Sequence, residues 1–201
     1  MTDSTAFFIS SICGLCKKTS FPGTLASFAS LFFSFLSYYF LGKITYICLF
    51  FVFLALGFWA IQKVHKENGI GDYQWIGMDE WMGMWLANFF LFSFNFNLIQ
   101  AIIFSFISFM IFRIIDITKF IPPLPTVNQD EKQGAMAVLL DDFIAGCYTY
   151  FIMLVILGIY DLRFFYSSFL ILLPPMIANM VPTLLKMKYW NIPINEKIFG
   201  K

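Results

Sequence analysis

Two short stretches hold most of the side chains that could do chemistry. FRIIDITK carries Arg113, Asp116 and Lys119 three residues apart, and GAMAVLLDDFIAG carries Asp141 and Asp142. Upstream, Asp72 precedes a second acidic pair, Asp79 and Glu80, at the head of a long apolar run. If a helix continues past Phe112, then Arg113, Asp116 and Lys119 lie along one of its faces. Ionised groups at the mouth of a bilayer are costly unless paired, hydrated or bound to a metal, so by default they mark a functional site. Carboxylates gathered together repel one another unless a cation sits among them. Hard oxygen ligands in a hydrated pocket suit Mg²⁺, which also binds phosphate oxygens. The expected metal ligands are therefore Asp79, Glu80, Asp116, Asp141 and Asp142. Arg113 can fork onto phosphate oxygens and Lys119 can add a point charge. The PGT turn adds Gly23 and Thr24, where the free amides of a helix start attract anions. A plainer reading makes Asp79 and Asp141 helix N-caps and Arg113, Asp116 and Lys119 a self-neutralising ladder. The gathering of acids at three span ends favours the site.

Composition sets the environment. Hydrophobic residues make up 60% of the 201, with 28 phenylalanines, and charged residues only 12%. Soluble domains carry about 25% charged residues, so the chain reads as an integral membrane protein. A net charge of +1 argues against nucleic acid, which needs a basic face. The expected partners are the bilayer, a phospholipid, small anions and metal ions. Cys13 and Cys16 form a lone CxxC and the chain has one histidine, His65. Four zinc ligands do not assemble from that set, so the cysteines read as ordinary thiols. Familiar covalent phosphatase chemistries lack their residues: there is no Cys-x5-Arg loop, no Asp-x-Asp pair and no second histidine.

The elements that must position these groups read as an all-α polytopic membrane bundle of about six short transmembrane or re-entrant helices. Thr24 is the expected N-cap of a helix from Leu25, and Gly42 and Lys43 turn it into a second span over Ile44 to Ile61, an antiparallel hairpin. A polar loop covers 62–79. The charge-free run from Trp81 to Phe112 would make one helix about 48 Å long, so it should break near Asn95 and Asn97. A further span is expected from Phe143 to Tyr160, and a last one, kinked by Pro174, Pro175 and Pro182, from Phe164 to Leu185. Lysines and arginines then crowd one side, with Lys43 and Arg163 on the other. The positive-inside rule makes the crowded side cytoplasmic and puts the acids there. The chain is thus expected to be multi-pass in the cytoplasmic (inner) membrane, with the site facing the cytoplasm.

Across residues 12–160 the chain resembles the phosphatidylglycerophosphatase A family. FPGTLAS matches the family's PGT-x-x-S block through Pro22, Gly23, Thr24 and Ser27. GDYQWIGMDEWMGMWLA is similar to its second block through Asp72, Asp79, Glu80, Gly83 and Trp85. FRIIDITKFIPP and GAMAVLLDDFIAG resemble the rest through Phe112, Arg113, Asp116, Lys119, Pro122, Gly134, Asp141, Asp142, Ala145 and Gly146. Tyr73 and Phe120 stand where the family has prolines, and Ala26, Ala135 and Ala137 where it has glycines. The resemblance implies Mg²⁺-dependent hydrolysis of phosphatidylglycerophosphate to phosphatidylglycerol and phosphate. Asp141, Asp142 and Asp116 would be catalytic, one of the Asp141-Asp142 pair accepting the proton from water, and Arg113, Lys119, Gly23 and Thr24 would hold phosphate. Residues 1–162 form the expected domain. The tail, 163–201, resembles the opening of CDP-archaeol synthase-like membrane cytidylyltransferases through PP-x-x-AN-x-x-P and carries no catalytic set. The competing class is a small ion-binding or transport protein using the same carboxylates. A transporter would be expected to place charge near the bilayer midplane, where these spans read as having none.

Overall fold

Pro22 decides where the first long helix begins. Its ring presets a helical φ, and its missing N–H costs nothing at the first helical position. Helix α2 accordingly runs Pro22–Leu36, with Phe21 outside it and no side-chain cap. The expected start at Leu25 under a Thr24 cap is corrected: Thr24 lies within the first turn, and its hydroxyl is used elsewhere. The computed structural model describes residues 4–70, 73–119 and 134–158, all of whose regular elements are helical. The other helices are α1 (Ser4–Ser10), α3 (Gly42–Asn68), α4 (Met78–Ala87), α5 (Leu98–Thr118) and α6 (Ala135–Gly158).

A π-helical turn, Ser37–Leu41, leads from α2 to Gly42, whose φ of 78° turns the chain back into α3. The hairpin forms, but its arms hold a third helix between them. Ser30 of α2 donates to the Trp81 carbonyl of α4 at 2.6 Å, and Tyr46 of α3 donates to the Trp85 carbonyl at 2.7 Å. Helix α3 also outruns the expected span. It continues to Asn68, its last turns carried by Lys63 and Glu67 pairing four residues apart at 3.6 Å, so much of the expected polar loop is helix. Helix α1 packs on α3 through Ala6, and its Ser10 carbonyl accepts from Gly77 N–H at 2.9 Å, fixing the entry to α4.

The long charge-free run does break, over a wider gap than the two asparagines. Helix α4 stops at Ala87, a 3-10 turn covers Asn88–Phe92, and α5 opens on a reciprocal capping box between Asn97 and Gln100. Asn88 is fully buried and donates to Ser34 at 2.8 Å. At ten residues α4 is about 15 Å long, too short to span, and most of its side chains are buried.

Helices in lipid gain little from apolar burial against one another and are held by close packing. That packing is tightest between α4 and α6. A Cβ on Gly83 would lie 2.5 Å from the Asp142 carbonyl oxygen, and one on Gly146 would run into the Gly83 carbonyl. Outward, α5 shows Ile99, Ile103, Phe106, Met110, Ile114 and Ile117 to the surroundings. Among the described residues, three helical segments are long and apolar enough to cross a membrane: Pro22–Asn68, folded back at Gly42, Leu98–Thr118 and Ala135–Gly158. The chain is a helical membrane protein. The expected turn at 161–163, the last span and the tail domain fall outside the described residues.

Candidate active site

Gly134, at a φ of 66°, leads into α6, which begins at Ala135, more than two turns before the expected span at Phe143. Ala, Met and Leu in the following stretch are strong helix formers, which explains the early start. Asp141 and Asp142 therefore sit within α6 and not at the head of a span, and both are nearly buried. Asp141 is not an N-cap, and neither is Asp79: α4 is capped at Gly77 without a side-chain bond. Asp79 Oδ1 accepts instead from the Glu80 N–H at 3.1 Å. Helix α6, long enough to span, includes two aspartates near its start, where the expected span from Phe143 has none.

Three of the five expected metal ligands converge. Carboxylate oxygens of Asp79, Glu80 and Asp142 all lie within 4.8 Å of one another. Glu80 Oε2 is buried without a hydrogen-bond partner. Like charges at that distance are relieved by a counter-ion or by taking up a proton. Burial, with the neighbouring acids adding to it, raises the Asp79 and Glu80 carboxyls, and the buried, unsatisfied oxygen fits a cation ligand. The other two acids are occupied by the basic groups. Asp116 pairs with Arg113 and Asp141 with Lys119.

The expected ladder of Arg113, Asp116 and Lys119 forms only in part. Helix α5 does continue past Phe112, which brings Arg113 and Asp116 together, but Lys119 leaves it in a left-handed conformation (φ 48°). Its ammonium reaches across to α6. Burial alone would lower the Lys119 ammonium, but the Asp141 bond, with the charges of Asp141, Asp142 and Asp116, outweighs it and holds the group above its ordinary value. Lys119 is thus a lasting cation beside the acids.

Arg113 ties α5 to α2. Its Nη1 donates to Ser27 Oγ and its Nη2 to Thr24 Oγ1, both at 3.3 Å, and its Nε is buried with no partner. Ser27 was legible as part of the PGT-x-x-S block, but nothing local revealed that its hydroxyl meets Arg113, 86 residues away. Gly23 completes the corner. A Cβ there would collide with Glu80 Oε1 and come within 3.3 Å of Arg113 Nη1. Only glycine lets the first turn of α2, with its unpaired amides, close on the carboxylates. These groups line a pocket of about 360 Å³ bounded by Ser20, Phe21, Gly23, Thr24, Tyr73, Gln74, Asp79, Glu80, Arg113 and Ile117. Gln74 and Ser20 went unnoticed in the sequence because no charge or motif marks them, and Tyr73 stood out only as a residue in place of a family proline. Asp72 lies outside the described residues.

The two cysteines of the CxxC differ in environment. Cys13 is exposed, while Cys16 is buried beside the pocket. Burial, with the Glu80 charge adding to it, pushes the Cys16 thiol up to about 12, so it stays protonated and inert as a nucleophile.

Apolar helices carrying carboxylates, an arginine and a helix start around one pocket define a membrane protein that handles a polar group at one end of its bundle. The family described as Phosphatidylglycerophosphatase A matches residues 8–157. The phosphatidylglycerophosphatase A of Escherichia coli (strain K12) is 30% identical over 126 residues, 62% of this chain and 67% of that protein. No solved structure matches the chain. The chain belongs to the phosphatidylglycerophosphatase A family, and it is a membrane enzyme of that kind, a phosphoric monoester hydrolase.

Proposed function

We propose that the protein removes the terminal phosphate of phosphatidylglycerophosphate, leaving phosphatidylglycerol, and that it needs Mg²⁺ held by Asp79, Glu80 and Asp142. The observation that carries the reading is the corner where Gly23, Glu80 and Arg113 meet. There an anion site and a carboxylate cluster share one wall, as a phosphate dianion bound beside a cation requires. Mg²⁺, when bound, supplies Lewis-acid polarisation of the phosphoryl group and acidifies water.

The chain's own residues do the rest. The first-turn amides at Gly23 and Thr24 and the unpartnered Arg113 Nε donate to phosphate oxygens. Asp116 holds the guanidinium in position. Lys119 keeps a positive charge beside Asp141 and Asp142, offsetting the charge of an incoming dianion. One carboxylate of that pair accepts the proton as water attacks phosphorus and the lipid oxygen departs. No residue here forms a phosphoenzyme, so hydrolysis in ¹⁸O-water should label released phosphate in one step. A phospho-aspartate trapped on acid quench would overturn that mechanism.

The test of the function is direct. Purified protein should release phosphate from phosphatidylglycerophosphate with Mg²⁺ and lose that activity in a chelator. Activity unchanged by chelation would remove the metal from the reading. Arg113→Lys keeps charge but loses the fork, and it should lower kcat/KM by about tenfold or more, ~1.4 kcal/mol. Equal rates would make the Arg113 contacts structural only.

The site end is proposed to face the cytoplasm of the inner membrane. Lys63, Lys66 and Lys119 gather at that end, whereas Lys43 lies over Phe92 at the other, the bias expected of a cytoplasmic surface. In a cysteine-free background, an impermeant thiol reagent should modify Lys43→Cys in intact cells and spare Lys66→Cys. The reverse pattern would invert the orientation.

A further inference from the structure

We infer that the substrate's hydrocarbon chains lie in the crevice between α2 and α5, and that its phosphate enters the pocket sideways from the lipid, between Phe21 and Ile117. The inference rests on the proposed phosphomonoester lipid substrate and names where the rest of that molecule goes.

The pocket lining is of two kinds. Ser20, Tyr73 and Gln74 contribute the polar part of the lining, and Phe21 and Ile117, exposed by 73% and 66%, an apolar part. Each apolar residue ends a row. Phe21 stands just before α2, on which Phe28 and Phe32 lie four residues apart, and all three are exposed. On α5, Met110 and Ile114 lead up to Ile117 at helical spacing. Residues three, four and seven apart share a helix face, so the two rows run along the helices from the pocket mouth. From Phe21 to Phe32 the row extends about 16 Å, close to the hydrocarbon depth of one leaflet, about 15 Å. Between the rows, Phe109 is buried and meets the Phe28 ring edge-on at 6.0 Å, giving the crevice a floor. At its head, Arg113 bonds residues of both helices. A phosphate drawn to Arg113 therefore leaves its lipid chains directly over the crevice.

Another apolar groove, of about 530 Å³, lies between α3 and α6 and is lined by Phe51, Leu54, Phe58, Leu139 and Phe143. It gives no access to the acids. Leu139 and Phe143 pack with the α3 cluster, while Asp142 on the same helix reaches Asp79 and Glu80 of α4. The body of α6 stands between that groove and the cluster.

The crevice predicts a split between long and short chains. For a Phe28→Ala, Ile114→Ala double variant in mixed micelles, KM for dioleoyl-phosphatidylglycerophosphate should rise about fivefold or more with kcat unchanged, the sign of lost uniform binding. On the water-soluble dibutyryl substrate kcat/KM should stay within about twofold. Both positions are exposed, so folding should survive. Phe51→Ala, in the other groove, should move neither substrate. A phosphatidylglycerophosphate analogue with a diazirine in one acyl chain should label α2 and α5 peptides. An equal effect on both substrates, a long-chain KM raised by Phe51→Ala, or labelling of α3 and α6 would overturn the inference. Labelling needs no turnover, so it reads the crevice separately from phosphate release by the wild type, which tests the phosphatase reading.

Discussion

Asp142→Asn should abolish most phosphate release, by about a hundredfold or more, which corresponds to ~2.7 kcal/mol of transition-state stabilisation. Asp142 is the one member of the Asp141-Asp142 pair that joins Asp79 and Glu80, whereas Asp141 is engaged by Lys119. Asp141→Asn weakens that ion pair and should cost less, about tenfold. A second readout separates ligation from folding. Mg²⁺ should raise the wild-type thermal midpoint in detergent, because a ligand that binds only the folded state stabilises it by mass action. In Asp142→Asn that rise should shrink or vanish. The metal-free variant should be at least as stable as the metal-free wild type, since an amide relieves the crowding of three buried carboxyls. If Asp141→Asn loses more activity than Asp142→Asn, or if Mg²⁺ still stabilises the Asp142→Asn protein fully, the assignment of Asp142 to the cation site fails.

Gly83→Ala should damage fold and activity together. The added methyl would meet the Asp142 carbonyl oxygen at 2.5 Å and the Phe112 ring at 2.8 Å. Neither obstacle is the loose end of a flexible chain, so α4 and α6 must separate. Overpacking of this kind costs about 1–3 kcal/mol, and the shift acts on the very residue whose side chain joins the carboxylate cluster. Thermal unfolding in detergent should show a clear fall in midpoint, with phosphate release reduced even well below it. Gly57→Ala is the matched comparison. There the three atoms nearest the new methyl all belong to the Met78 side chain, which is flexible and can yield. It should cost clearly less than Gly83→Ala. Equal costs would mean that α4 and α6 have room to spare.

Much of the molecule could be read from residue types and their order. Low charge and long apolar runs require a membrane, because backbone groups in lipid are satisfied within helices and apolar side chains need no water. Gly42, Pro22 and Asn97 act through local backbone chemistry, so the fold-back, the approximate start of α2 and the start of α5 were all marked. The membrane family was legible too, since its blocks keep their spacing whatever the chain does between them. Helix ends were less legible. Helix α3 runs on through Lys63 and Glu67, and α6 begins at Ala135, because a helix end reflects capping and packing beyond the stretch of low polarity.

What only the tertiary structure decided is which charge answers which. In the sequence, Asp79, Glu80, Asp116, Asp141 and Asp142 are alike, five carboxylates near membrane-embedded segments. Three dimensions pair Asp116 with Arg113 and Asp141 with Lys119, bring Asp79, Glu80 and Asp142 face to face, and keep Asp116 near enough to act on Glu80. This arrangement depends on distances across helices: on Lys119 turning left-handed off α5 toward α6, and on two glycines letting α4 and α6 approach until Asp142 reaches Asp79 and Glu80. Coulomb interactions follow separation in space, and separation in space is set by packing, which residue order alone does not state.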